Sequence, residues 1–130
     1  MKPALLHIHH IAIIANDYAV SKRFYTEILG FEIVQEVYRA ERNSYKCDLA
    51  LNGTYMIELF SFPEVRPRGS QPEAAGLRHL ALAVNDVSEW ITYLRKYNVS
   101  VQDVRVDEYT GKKFTFFFDP NQQPLELYEV

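Results

Sequence analysis

The sequence contains a single cysteine, Cys47, which excludes an intrachain disulfide and a cysteine-rich zinc site. Its setting, Tyr45-Lys46-Cys47-Asp48-Leu49, is that of a small apolar strand residue, and we assign it no chemical role. Basic excess is also missing: 14 Lys and Arg stand against 17 Asp and Glu, a net charge of -3. Nucleic acid is therefore excluded as an expected partner, because phosphate-backbone binding needs a positive surface. No long apolar run occurs at the start, Met1-Lys2-Pro3-Ala4-Leu5-Leu6-His7, or later, so neither a signal peptide nor a membrane span is predicted. These absences lead us to expect a soluble, cytoplasmic protein in a reducing compartment. What remains is ordinary globular composition, 48% hydrophobic and 24% charged over 130 residues, enough for one domain with its own core.

The chain repeats itself. His10-Ile-Ala-Ile-Ile-Ala-Asn-Asp17 returns 69 residues later as His79-Leu-Ala-Leu-Ala-Val-Asn-Asp86. Both segments alternate as strands do: Ile11 and Ile13, or Leu80 and Leu82, fall on one face, and His10 and Ala12, or His79 and Ala81, on the other. Asp17 and Asp86 are placed to cap helices, the second within a capping-box pattern, Asp86-Val-Ser-Glu89. Apolar stripes follow at helical spacing, Phe24, Tyr25, Ile28 and Leu29 in the first repeat and Val87, Trp90, Ile91 and Leu94 in the second. Gly30 and Asn98 then suit left-handed helix ends, each before an extended run, Phe31 to Tyr38 and Val99 to Val106.

From there the offset is 68 rather than 69. Asn52-Gly53 is a tight-turn signal and lies opposite Pro120-Asn121. After each turn a strand carries one glutamate among aliphatics, Met56-Ile57-Glu58-Leu59 and Pro124-Leu125-Glu126-Leu127. Each half thus reads as βαβββ. Phe62 to Gly76 holds three of the six prolines and two of the five glycines and reads as a connection. The expected organisation is one domain: module 1 at about 5–62, a linker at about 63–76 and module 2 at about 77–130. Two curved half-sheets with helices outside are expected to form a cleft lined by the inward residues of both modules.

Taken singly, a histidine near a strand start or a glutamate in an alternating strand is an ordinary structural or solvent-facing residue. The four gain weight because they recur together, 48 residues apart in the first half and 47 in the second, while the helices between them have diverged. Two imidazoles and two carboxylates suit Zn, Ni, Co, Mn or Fe with coordination positions left open for water, which points to catalysis. His7 and His9 alternate away from His10 and read as surface or packing residues. Phe114, Phe116 and Phe118 share a strand face that reads first as core and second as pocket wall. Arg23, Arg39, Arg42, Lys112 and Lys113 are candidates for an acidic ligand, with solvated charge as the default.

The two modules, their histidine-initiated strands and the Ile57-Glu58-Leu59 and Leu125-Glu126-Leu127 strands resemble the vicinal oxygen chelate superfamily over nearly the whole chain. The His, Glu, His, Glu pattern is similar to that of glyoxalase I. The segments from His10 to Ser21, Asp48 to Gly53, Ile57 to Pro63 and Pro124 to Glu129 resemble a bacterial YaeR-type, glyoxalase-related subgroup. The resemblance implies the glyoxalase/bleomycin-resistance/dioxygenase fold (α+β), a metal set of His10, Glu58, His79 and Glu126, and one divalent ion, zinc or nickel before cobalt, manganese or iron. It implies a homodimer acting on a small hydroxy-carbonyl substrate, such as the hemithioacetal of methylglyoxal and a thiol. Glu58 or Glu126 would be the catalytic base, with a metal-bound enediolate between two proton transfers. Bacterial glyoxalase I places an Arg and an Asn, both used to hold glutathione, where this chain has Ile14 and Phe62, which leaves the thiol open. An Fe(II) dioxygenase and a non-catalytic, bleomycin-resistance-like binding protein are the alternative readings.

Overall fold

A computed structural model describes residues 1–130. The chain divides into two units, Met1–Val65 and Arg66–Val130, each built around one four-stranded mixed sheet. In unit 1 the strands are β1 (Ile11–Ile14), β2 (Glu32–Arg39), β3 (Ser44–Leu51) and β4 (Thr54–Phe60), in the order β1-β4-β3-β2. Unit 2 repeats this with β5 (Leu80–Val84), β6 (Arg105–Val106), β7 (Lys113–Phe118) and β8 (Pro124–Glu129), in the order β5-β8-β7-β6. In each sheet the first and last strands pair in parallel and the others are antiparallel. This is the α+β repeat that the sequence predicts.

Helix α1 (Tyr18–Arg23) begins where Asp17 accepts a hydrogen bond from the Val20 backbone N–H at 3.2 Å. Helix α2 (Val87–Lys96) begins likewise, with Asp86 accepting from the Glu89 N–H at 3.0 Å. Both satisfy an otherwise unpaired first-turn amide. Gly30 (φ 86°) and Asn98 (φ 59°) end the helical stretches in the left-handed region, as predicted. The lost residue in the repeat offset also finds its cause. The first helix continues as a π-helical turn, Phe24–Ile28, and a π-turn absorbs one inserted residue without breaking the helix.

Each helix covers one face of its own sheet. In unit 1, Phe24, Tyr25 and Leu29 are buried together with Ile13, Cys47, Leu49, Ile57 and Leu59. In unit 2, α2 packs on β7 and β8, where Val87, Ile91 and Leu94 are buried along with Phe117, Leu125 and Leu127. Complete burial of a leucine or isoleucine side chain contributes roughly 1.5–3 kcal/mol, so these facing stripes hold each unit together. Cys47 belongs to this core; burial pushes its thiol up, so it stays protonated and inert.

Two expectations are corrected. Val99 to Val106 forms a ladder only at Arg105 and Val106, plus an isolated bridge from Val101 to Phe117. The register slips between the two, and Thr115 Oγ1 donates to the Gln102 and Asp103 carbonyls at 2.9 and 3.0 Å, satisfying backbone that a ladder would otherwise engage. The second concerns Phe114, Phe116 and Phe118, which are only half-buried, whereas Phe117 on the opposite face fills the core. Alternation separates the faces of a strand without saying which one meets the helix.

No helix is long and apolar enough to cross a membrane.

Candidate metal centre

The sheet face away from the helix carries the predicted residues, one His–Glu pair in each unit. In unit 1, β1 lies parallel to β4 with Ala12 opposite Glu58, which brings His10 Nε2 to 3.4 Å from Glu58 Oε2. In unit 2, β5 lies parallel to β8 with Ala81 opposite Glu126, and His79 Nε2 is likewise 3.4 Å from Glu126 Oε2. Ala12 and Ala81 leave the space beside each pair open. Both separations exceed an ordinary N–H···O hydrogen bond, about 2.7–3.2 Å. Two donor atoms that each sit about 2.1 Å from one ion stand roughly 3.0–3.6 Å apart. The nitrogen and oxygen donors therefore fit a divalent transition metal in kind and in spacing. The structure gathers no group of three or more His, Cys, Asp or Glu side chains that could hold a metal; each unit carries one His–Glu pair.

The halves differ in what surrounds the pair. Opposite Glu58, β3 places Asp48, a buried carboxylate that accepts from Lys46 Nζ at 2.7 Å. The Tyr55 hydroxyl lies 2.7 Å from Glu58 Oε2 and 3.0 Å from Asp48 Oδ1, sharing one proton between two carboxylates. Burial, followed by the bonds to Glu58 and Asp48, holds this phenol well above the usual tyrosine range, so it remains a donor. The bond to Asp48 raises Lys46, which stays charged, and its Nζ is 3.6 Å from Glu58 Oε2. Tyr55 also stacks on His10, with ring centroids 5.4 Å apart.

Strand alternation alone would put Tyr55 and Glu58 on opposite faces. A β-bulge resolves this: Leu49 pairs with Ile57 and Ala50 with Tyr55, which leaves Met56 without a ladder partner. The extra residue re-aims Tyr55 toward Glu58. Sequence reasoning missed Lys46, Asp48 and Tyr55; the available signal was two polar residues two apart on a strand facing Glu58.

In unit 2 the residue opposite Glu126 is Phe116, whose ring meets His79 edge-on at 5.0 Å. Phe114, Tyr128 and Glu126 line a cavity of about 410 Å³ together with Arg105, Asp107 and Tyr109. Of the aromatic run, Phe114 is thus pocket wall here, not core.

His9 departs from the sequence reading. Instead of alternating away, its Nδ1 lies 2.9 Å from His10 Nδ1 and its ring meets Tyr55 edge-on at 5.2 Å. β1 begins only at Ile11, so the alternation used to separate these histidines does not extend to them. Of the basic candidates, Arg39 is engaged: its guanidinium lies over Phe60 and Phe62 at 4.7 and 5.8 Å and donates to Ser44 Oγ at 2.8 Å.

Two βαβββ units, each with a histidine just before its first strand and a glutamate on its last, define a class of fold. The chain belongs to the glyoxalase/bleomycin resistance protein/dioxygenase superfamily, whose family model matches residues 7–127. It is similar to YaeR of Escherichia coli (strain K12), at 60% identity over 96% of this chain and 97% of that protein. A crystal structure of a glyoxalase family protein from Enterococcus faecalis is 47% identical, with a TM-score of 0.88 over 95% of this chain and 97% of that one. The trypanothione-dependent glyoxalase I of Leishmania major is 26% identical, with a TM-score of 0.75 over 96% of this chain and 87% of that one.

Proposed function

We propose that this chain is a glyoxalase I-like lyase acting on a hydroxy-carbonyl compound, such as the hemithioacetal of methylglyoxal and a small thiol. In this reading its two modules, joined at 63–76, make one functional domain, and His10, Glu58, His79 and Glu126 hold one divalent transition metal, zinc or nickel. The observation that carries the proposal is the doubled pair: the same two donors, at the same 3.4 Å, at equivalent positions of both repeats. A bound ion would supply Lewis acidity to the substrate's carbonyl oxygen.

The protein's own residues divide the remaining work. Glu58 already shares the Tyr55 proton and stands near Lys46, which suits a fixed ligand. Glu126 is bonded to no such donor and borders the cavity between aromatic walls. We assign it the proton transfer: its carboxylate takes the proton from the hydroxyl-bearing carbon and returns it to the neighbouring carbon, while the hydroxyl proton passes to the former carbonyl oxygen, so that the two carbons exchange hydroxyl and carbonyl. No oxidant is consumed and no atom is lost. Phe114 and Tyr128 line the cavity beside Glu126 and limit the access of bulk water to the transferred proton.

The thiol need not be glutathione. Ile14 is half-exposed on the open face of β1 and Phe62 stacks with Phe60 at 5.9 Å, so the two positions that would hold glutathione are apolar. The trypanothione-dependent relative supports a reading in which this fold works with another thiol.

The test is a screen of methylglyoxal with a panel of thiols, using metal-reconstituted protein and its Glu126→Gln variant. Turnover by the wild type that Glu126→Gln abolishes, with the fold intact by circular dichroism, supports the assignment. Equal turnover by the variant overturns it.

A further inference from the structure

Unit 2 keeps one cation in its cavity wall without a counter-charge. The Arg105 guanidinium lies over the rings of Phe114 and Phe116, 5.0 and 5.3 Å from their centroids. Its hydrogen bond goes to a neutral group, Gln102 Oε1, at 3.1 Å. Carboxylates border the same cavity, yet Arg105 forms an ion pair with none of them. Asp107 accepts instead from the Tyr109 backbone N–H and the Tyr128 hydroxyl, both at 2.9 Å, and Glu126 faces His79.

Although Arg105 is exposed, its guanidinium lies within cation–π range of two rings, and its in-plane N–H groups keep the fork geometry that matches a carboxylate or a phosphate. The unit 1 residue at the equivalent ladder position is Val37, opposite Lys46 as Arg105 is opposite Phe114. The charge is thus a feature of this cavity and not of the repeat. At about 410 Å³, the cavity suits a small metabolite.

We propose that Arg105 anchors an anionic group, a carboxylate or a phosphate, on the molecule that occupies this cavity. The proposal rests on the lyase reading for what Glu126 does to that molecule, but not for the binding itself. It narrows the substrate to hydroxy-carbonyl compounds that carry an acidic group, either on the carbonyl part or on the thiol.

The experiment is calorimetric titration of the protein, stripped of metal, with three probes: lactate, inorganic phosphate and the neutral lactamide. At least one anion is expected to bind in the millimolar range and lactamide to bind at least tenfold more weakly. Arg105→Gln should weaken the anion tenfold or more and Arg105→Lys by less. Arg95→Gln, whose arginine pairs with Asp103 at 2.8 Å away from the cavity, should change nothing. Preference for lactate or for phosphate identifies the source of the anionic group. Unchanged binding in Arg105→Gln, equal binding of lactamide, or no anion binding by the wild type would each overturn the proposal. Melting temperatures of both Arg105 variants report on the fold, and Arg105→Lys keeps the test alive if Arg105→Gln unfolds. Arg105-dependent binding without turnover of any thiol adduct removes the lyase reading and leaves the anchor standing. Turnover whose KM is indifferent to Arg105→Gln does the reverse.

Discussion

The two halves of this chain share a backbone plan and a donor pair but not the chemistry around it. In unit 1 the glutamate sits in a polar web, with Asp48 opposite, Tyr55 bonded to it and Lys46 alongside. In unit 2 the equivalent positions of Lys46 and Asp48 are Phe114 and Phe116, and the glutamate borders a cavity. The repeat thus keeps the His–Glu pair and varies its surroundings. One half holds its glutamate through a neighbouring hydrogen bond, and the other sets an equally covered glutamate, without that bond, at the border of a cavity. That asymmetry is the physical basis for assigning them different work.

The strongest way to break the comparison is to exchange the roles. Glu126→Gln should lower kcat by about 10²–10⁴ while bound metal is partly retained. Glu58→Gln should act mainly through metal content, its kcat recovering when metal is supplied in excess. Equal kcat losses in both variants under excess metal would contradict the division of labour.

The cores sharpen it next, since Leu49 and Phe117 are equivalent and fully buried. Phe117→Ala should cost about 3–5 kcal/mol and Leu49→Ala about 2–5 kcal/mol in denaturant titrations. A loss below 1 kcal/mol at either position would show that its helix does not close over that sheet.

A smaller effect isolates the web itself. Tyr55→Phe removes the hydroxyl that orients Glu58 and should weaken metal binding about 10–100-fold in chelator competition. Phe116→Leu in the other half should leave that affinity within about threefold, well below the effect of losing an orienting partner. Matching losses would mean that the polar surroundings do not orient the ligand.

The smallest effect concerns a feature of unit 1 alone. Glu36 accepts from Lys22 at 2.9 Å and Tyr18 at 2.5 Å, and the Lys22 bond first, then the Tyr18 bond, hold its carboxyl below its usual 4.5. A lowered folded-state value means that the folded protein binds the proton less readily than the unfolded chain. The contribution is therefore fully present above about 4.5, and it is lost as pH falls through the lower folded-state value. The pair is partly exposed and its contribution is about 0.5 kcal/mol. Glu36→Gln should flatten the acid limb of the stability curve by about that amount, and an unchanged limb would dismiss the pair.

Much of this architecture was legible because it is local. Strand alternation, Asp caps, left-handed helix ends and the Asn52-Gly53 turn each depend on a few neighbouring residues, and the repeat checked every one of them twice. The change of offset from 69 to 68 announced an inserted residue, although only the structure shows it taken up in a π-turn. What escaped depended on irregular register. Without the bulge at Met56, the tight turn would align Asp48 with Ile57 rather than Glu58, and Tyr55 would point to the other face. The web of Lys46, Asp48 and Tyr55 could not be read from alternation, because it exists only where alternation fails. His9 was misplaced for a related reason, since it precedes the first paired residue of its strand. Arg105 carried no sequence signal beyond a charge between two valines, and its two aromatic partners lie on another strand.

The account depends on the two His–Glu pairs acting as metal ligands, and elemental analysis of gently purified protein tests this most directly. It predicts about one equivalent of a divalent transition metal per site in the wild type, and loss of that metal in a folded His10→Ala, His79→Ala double variant. Wild-type protein that stays metal-free after reconstitution with zinc, nickel, cobalt, manganese and ferrous iron, or a double variant that keeps its metal, would contradict it.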